Sequence, residues 1–264
     1  MVTLIQLLKE VSAKPKALIL SGAPGAGKSS LLEKVKGQAL ILNIDDYYIN
    51  NLKKANVSLD LKNASPEDRS KAAQAMMAAN KEFRPLVKKT IEGKENIIFD
   101  QTSASYKKTR ELKDELEDLG YDVMMAYVFS SVEKSLDRNE TRFERSKGED
   151  RSLPPAIVFR TWNEVTKNFV PYSELFGNMF IPVVNDKKPF TDKSVEELVK
   201  TYLEPYKPTG TKPKTEKEIE RSRLQKEKLN QEITDFINSK QTQYIIDNSI
   251  TKKEARNKIE NFFK

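Results

Sequence analysis

The chain has 264 residues, 32% charged and 38% hydrophobic, with no cysteine, no histidine and a net charge of +7. These absences exclude disulfides, thiolate zinc sites, thiol nucleophiles and the usual general base. Any base must be a carboxylate, a lysine or a tyrosine, and any metal must sit on oxygen ligands, which points to Mg2+.

The length suits one or two domains. No apolar run approaches the ~18 residues of a membrane span. The opening residues lack the basic flank of a secretory signal. They read as a short amphipathic helix with Leu4, Ile5, Leu7 and Leu8 on its apolar side, and a cytoplasmic protein without a membrane partner is expected.

Short apolar runs then alternate with helical patterns, the sign of an α/β domain with a mostly parallel sheet of five strands. The runs cover residues 17–20, 39–44, 96–99, 122–129 and 179–184, and the continuity of most of them predicts strands buried on both faces. The intervening helices are expected from Gly27 to Gly37, and from the Ser65-Pro66-Glu67-Asp68 cap to Gly93 with a break at Pro85. A third covers residues 107–119 with Gly120 as its C′ residue, and a fourth opens with the capping-box spacing of Ser130 and Glu133.

After the first strand comes Gly22-Ala23-Pro24-Gly25-Ala26-Gly27-Lys28-Ser29, a full match to G-x-x-x-x-G-K-[ST] in strand-to-helix context. Such glycines let backbone N–H groups turn towards phosphates. Lys28 would reach the β- and γ-phosphates, and Ser29, with Ser30 beside it, would face the nucleotide and one Mg2+ position.

The second strand runs into Asp45 and Asp46, at the sheet end where open α/β folds bind ligands. Without histidine, one of them is the obvious group to orient an acceptor hydroxyl and take its proton. The competing reading makes both of them caps of the next segment. The third strand ends in Asp100, placed either to hold Mg2+ in Walker-B fashion, to touch the acceptor, or to cap a helix. Arg138, Arg142 and Arg145 share one helical face, with Arg151 beyond; the set suits a lid over the transferring phosphate. Trp162, Phe159, Asn163, Phe169, Tyr172 and Phe176 follow at helical spacing and are expected in the core rather than stacked on a base.

Residues 207–213, within a stretch holding Pro205, Pro208, Gly210 and Pro213, read as a linker between a body (1–206) and a charged helical extension (214–264). Residues 207–264 carry +5, the rest +2. Leu229, Ile233, Phe236 and Ile237 form one apolar stripe; Ala255, Ile259, Phe262 and Phe263 form another. The extension is expected to be dispensable for nucleotide binding. Its two stripes could pack on each other, on the core or on another protein, and the extension is expected to dock a protein partner, self-associate or contact nucleic acid.

GAPGAGKSS, NIDDYY, IIFDQTS, the GYDV strand and RNETR…RSLP stand in the order of the zeta-toxin-like P-loop kinases, which the chain resembles over residues 15–186. That group is similar to the kinase half of phage polynucleotide 5′-kinase. The resemblance implies a P-loop kinase fold, ATP or GTP as donor with Mg2+, and a hydroxyl acceptor on a nucleotide sugar, a nucleoside or a nucleic-acid 5′ end. It implies Asp45 as base, Asp100 and Thr102 as acceptor contacts, and Arg142 and Arg151 as lid arginines. Tyr48 stands where the family places an arginine, which argues against a strongly anionic acceptor group at that spot. A second reading stays open: a nucleotide-hydrolysing or nucleotide-gated binding module that acts through its basic tail.

Overall fold

In the computed structural model the described residues are 14–35, 37–185, 195–202, 215–237 and 241–264. The amphipathic opening segment with Leu4, Ile5, Leu7 and Leu8, and the linker with Pro205, Pro208, Gly210 and Pro213, lie outside them. Five strands form one parallel sheet: β1 (Lys16–Ser21), β2 (Leu40–Leu42), β3 (Ile97–Asp100), β4 (Asp122–Phe129) and β5 (Phe180–Val184). Their order is β2-β3-β1-β4-β5, so the central β1 pairs with β3 and β4 and delivers the glycine loop to the middle of the sheet edge. This is the five-stranded parallel α/β sheet flanked by helices that the sequence predicts.

The continuous apolar runs are buried as expected in β1, β3 and β4. β2 departs from that expectation. It is short and sits at the sheet edge, with Leu40 and Ile41 exposed, and Ile44 already belongs to the next helix.

The helices are α1 (Ile44–Lys54), α2 (Pro66–Glu92), α3 (Tyr106–Asp118), α4 (Val132–Glu140), α5 (Arg142–Arg145), α6 (Pro155–Lys167), α7 (Phe169–Phe176), α8 (Val195–Tyr202), α9 (Glu216–Ile237), α10 (Gln241–Asp247) and α11 (Lys252–Phe263). Ser65 and Ser105 cap α2 and α3 through their hydroxyls. No described helix is long and apolar enough to cross a membrane.

Helix expectations need correction in α2 and at the start of α4. α2 does not break at Pro85. Ala72, Ala75 and Ala79 before the proline pack into one apolar cluster, and Phe83, Leu86, Val87 and Ile91 around it pack into another. Burial at both ends holds the helix together across the missing N–H. The cap of α4 is Ser131, which accepts from the Lys134 N–H, and not Ser130. Ser130 is occupied elsewhere: its hydroxyl pairs with Ser135 and its carbonyl accepts the Trp162 indole N–H at 2.9 Å.

The main core covers both faces of the sheet and includes Phe159, Trp162, Phe169, Tyr172 and Phe176, as their helical spacing predicts. A smaller cluster holds Tyr48, Leu52, Val57, Leu59, Leu61 and the α2 alanines, with Phe143 of α5 packed against it. The first sits behind the glycine loop, the second beside the acidic end of β2.

The tail is the largest departure. Ile245, Ala255, Ile259 and Phe263 are buried in the main core, and Ile250 bridges Val183 of β5. The second apolar stripe is thus consumed within the chain, which corrects the expectation of a docking element for residues 241–264. The side chains of Leu229, Ile233, Phe236 and Ile237 lie outside what the structure describes.

Candidate functional site

The glycine loop turns between β1 and a 3-10 helix, Lys28–Lys34, where an α-helix was expected. Gly25 and Gly27 have φ of 78° and 89°. A side chain is barred at Gly25 by space as well as by conformation, since a Cβ there would lie 2.5 Å from the Ser135 carbonyl.

The loop is held by its carbonyls. Lys28 Nζ donates to Gly22 O at 3.1 Å, Arg138 to Gly25 O at 2.8 Å, Asn185 to Ala26 O at 2.5 Å, and Ser30 Oγ to Gly27 O at 2.8 Å. The Gly22 N–H in turn donates to Thr102 O at 3.3 Å. With these carbonyls tied to surrounding side chains, the N–H side of the loop is presented as an anion-binding concavity. Ala23, Pro24 and Ala26 complete the turn, with Ala23 and Ala26 buried against the core.

Lys28 is the centre of the charge cluster. Its Nζ lies 3.8 Å from Asp100 Oδ1. Burial pulls its pKa below the ordinary lysine value; Asp100 and Asp45 oppose that pull, while Arg142 and Arg151 add to it. Burial raises the Asp100 carboxyl, with Lys28 opposing and Asp45 reinforcing. Asp46 is exposed, yet its pKa is raised by partial desolvation and then by Asp45 and Asp150.

Asp45 lies in the first turn of α1, whose cap is Asn43: its Oδ1 accepts the Asp45 N–H at 2.9 Å. Neither aspartate is the cap, so the carboxylates are released for other work. Asp45 Oδ1 accepts from Arg151 at 2.6 Å, and the Arg151 guanidinium lies over the Tyr48 ring, 5.2 Å from its centre.

The arginine row is not one helical face. α4 ends at Glu140, Thr141 is a junction, and Arg142 starts a separate short helix. Arg138 goes to the loop, Arg142 bonds Asp150, and Arg151 reaches Asp45. Arg151 sits on a fixed strap: Ser152 bonds Asp60 and Leu59, and Asn139 grips Leu153 at both N–H and carbonyl.

Thr102 follows β3, its carbonyl on Gly22, and Ser29 is exposed on the first turn of the 3-10 helix. Among the described residues no group of three or more acidic side chains could hold a metal. Mg2+ in a kinase needs no such cage, since it keeps waters and phosphate oxygens and takes one or two protein ligands. A hydroxyl at Ser29 and a partly buried carboxylate at Asp100, 3.8 Å from Lys28, fit that requirement.

Residues 4–176 match the zeta toxin family. The chain belongs to that family. No curated protein matches it. Among solved structures, this zeta toxin family member is similar to one from the PezAT chromosomal toxin–antitoxin system of Streptococcus pneumoniae. The identity is 19%, over 83% of this chain and 87% of that one, with a TM-score of 0.48. It is also similar to a chain in the Pnkp1/Rnl/Hen1 RNA repair complex, at 19% identity over 62% of this chain and 48% of that one, with a TM-score of 0.44.

Sequence reading missed Asn185, Asn43, Asn139, Lys252 and Arg256. Asn43 and Asn139 lie inside motifs that carried the resemblance, but their roles depend on partners elsewhere in the fold. Asn185 follows the last strand, and strand ends on this edge are where such a residue could have been sought.

Proposed function

We propose that this zeta toxin family member is an ATP-dependent phosphotransferase that moves the γ-phosphate to a hydroxyl of a nucleotide sugar, a nucleoside or a nucleic-acid 5′ end. The observation that carries the reading is that Lys28 Nζ, in the glycine loop, lies 3.8 Å from Asp100 at the end of β3, while Asp45 past the end of β2 holds Arg151 at 2.6 Å, with Arg142 near enough for its charge to bear on Lys28. A phosphate-binding lysine, an acceptor-side carboxylate and two guanidinium groups thus converge on one place.

The loop amides and Lys28 hold the phosphates. Asp45 accepts the proton of the acceptor hydroxyl as its oxygen bonds to the γ-phosphorus; the bond to the bridging oxygen breaks, and its electron pair leaves with ADP. Arg142 and Arg151 meet the charge on the transferring group, and Arg138 keeps the loop in shape. Asp46, Asp100 and Thr102 border the acceptor side. Ser29 and Asp100 would hold Mg2+, which neutralises phosphate charge when bound. GTP would serve as donor in the same cradle.

Transfer of label from γ-labelled ATP to a panel of nucleotide sugars, nucleosides and 5′-hydroxyl oligonucleotides tests the reading. A labelled acceptor that disappears in Asp45→Asn supports it. Hydrolysis without transfer to any hydroxyl would count against it.

A further inference from the structure

We infer that the last helix, α11, belongs to the nucleotide site: Lys252 contributes a cation to the bound polyphosphate, and Arg256 positions the turn that receives it. The inference rests on the phosphotransferase reading above and adds residues to its nucleotide site.

The contacts are specific to the loop. Lys252 Nζ donates to Ser30 Oγ at 2.9 Å, and Ser30 Oγ donates onward to Gly27 O at 2.8 Å. The Lys252 ammonium is therefore two hydrogen bonds from the backbone of the phosphate-binding motif. Arg256 places Nε and Nη2 on the Ser30 carbonyl at 2.8 and 2.6 Å. Ser30 lies inside the 3-10 helix, and its carbonyl takes the Arg256 fork from outside that helix.

The placement is built from several sides. Thr251 and Glu254 form a reciprocal capping box that fixes where α11 begins. One residue earlier, the Ile250 N–H donates to Pro182 O at 2.9 Å, and its carbonyl accepts the Val184 N–H at 3.1 Å. Lys252 is thus anchored to the end of β5, next to Asn185, which itself bonds the loop at Ala26 O. On the neighbouring face of the helix, Ala255, Ile259 and Phe263 are buried in the core, so the pair at positions 252 and 256 is aimed at Ser30.

The chemistry follows from the donors. An ammonium has three N–H groups, and a loop hydroxyl is a weaker partner than a phosphate oxygen. When a polyphosphate fills the cradle, its charge lies next to Lys252. Four cationic side chains, Lys28, Arg138, Lys252 and Arg256, bond to the loop or to Ser30. They come from three distant stretches of chain, the convergence a polyanion rewards.

The test is ATP affinity of the full chain by calorimetry, with Lys28→Ala as reference, and melting without nucleotide. Lys252→Met and Lys252→Gln are expected to weaken ATP about tenfold, the worth of one charge-assisted bond, with unchanged melting. Lys252→Arg should keep parental affinity, and Arg256→Lys should fall between the parent and Arg256→Met. Parental affinity in Lys252→Gln, while Lys28→Ala no longer binds, would overturn the inference and leave the P-loop reading standing. Tight ATP binding by folded Lys28→Ala would instead remove the reading on which it rests.

Discussion

Replacing Lys28 by methionine separates binding from folding. The side chain is only 15% exposed and is held between Gly22 O and Asp100. Burial lowers its pKa, so between that lowered value and the ordinary lysine range the unfolded chain binds more protons, and stability rises with pH through that window. On the acid side of that window the buried ammonium is a burden on the apo fold, so its removal should leave melting near the parental value. Two charge-assisted contacts to phosphates are together worth ~3–6 kcal/mol, or about 10²–10⁴-fold in ATP affinity.

At an ATP concentration of ~100 times the parental Kd, binding stabilises the parent by ~2.7 kcal/mol, and the variant by no more than ~0.4 kcal/mol. For a chain of this size the parental shift is roughly 5–10 °C. Trp162, the single tryptophan, is buried with its indole bonded to Ser130, and its fluorescence reports the transition. An ATP-induced shift in Lys28→Met equal to that of the parent would refute the phosphate-site argument.

Asp45→Asn should keep ATP affinity and lose roughly 10²–10⁴-fold in transfer rate; Asp46→Asn should be milder, and the reverse ranking in a rate assay would shift the base by one residue. Arg151→Met removes the bond to Asp45 and the stack on Tyr48, and should lower kcat for transfer about 10–100-fold, the worth of one charged bond, without changing ATP affinity; an unchanged kcat would exclude it from the site. Because burial raises the Asp100 carboxyl, Mg·ATP affinity should decline on acidification from above the ordinary carboxylate range, and Asp100→Asn should abolish that dependence in titrations against pH. Ile259→Ala, in the main core, should cost ~2–5 kcal/mol in denaturant melts, and a chain truncated before Gln241 should be insoluble; a soluble, ATP-binding truncation would contradict the packing of the last helices.

The sheet was legible because continuous apolar runs and glycine punctuation are local signals. The cluster of Lys28, Asp45 and Asp100 was legible because all three end parallel strands or follow them, and parallel strands end on one edge. What failed was wherever a partner outside the local window decided the matter. Ser130 and Glu133 have the spacing of a capping box, but the Trp162 indole claims the Ser130 carbonyl, and the helix starts one residue later. The i, i+4, i+7 arginines suggest one face, but the helix ends before Thr141 and each guanidinium goes its own way. The apolar stripe of α11 was visible and the core was one of its possible destinations, but the contact of Lys252 with Ser30 was not legible, because the two are 222 residues apart.

These long-range ties bear on how the base and the phosphate are kept in register. Lys28 and the loop stand on the main core, whereas Asp45 stands on α1, in the smaller cluster with Leu52 and Val57. Two separate cores could rock against each other and spoil a geometry that tolerates little displacement. α2 crosses between them, with its alanines in one and Leu86 and Ile91 in the other. The Asp60–Ser152 bridge and the Asn139–Leu153 pair hold the strap to both sides, and Arg151 ends the chain of links on Asp45 itself. Tyr48 then has a physical role that a charged side chain would not fill. A cation at that position would repel Arg151, whereas an aromatic face attracts it and keeps it beside the carboxylate.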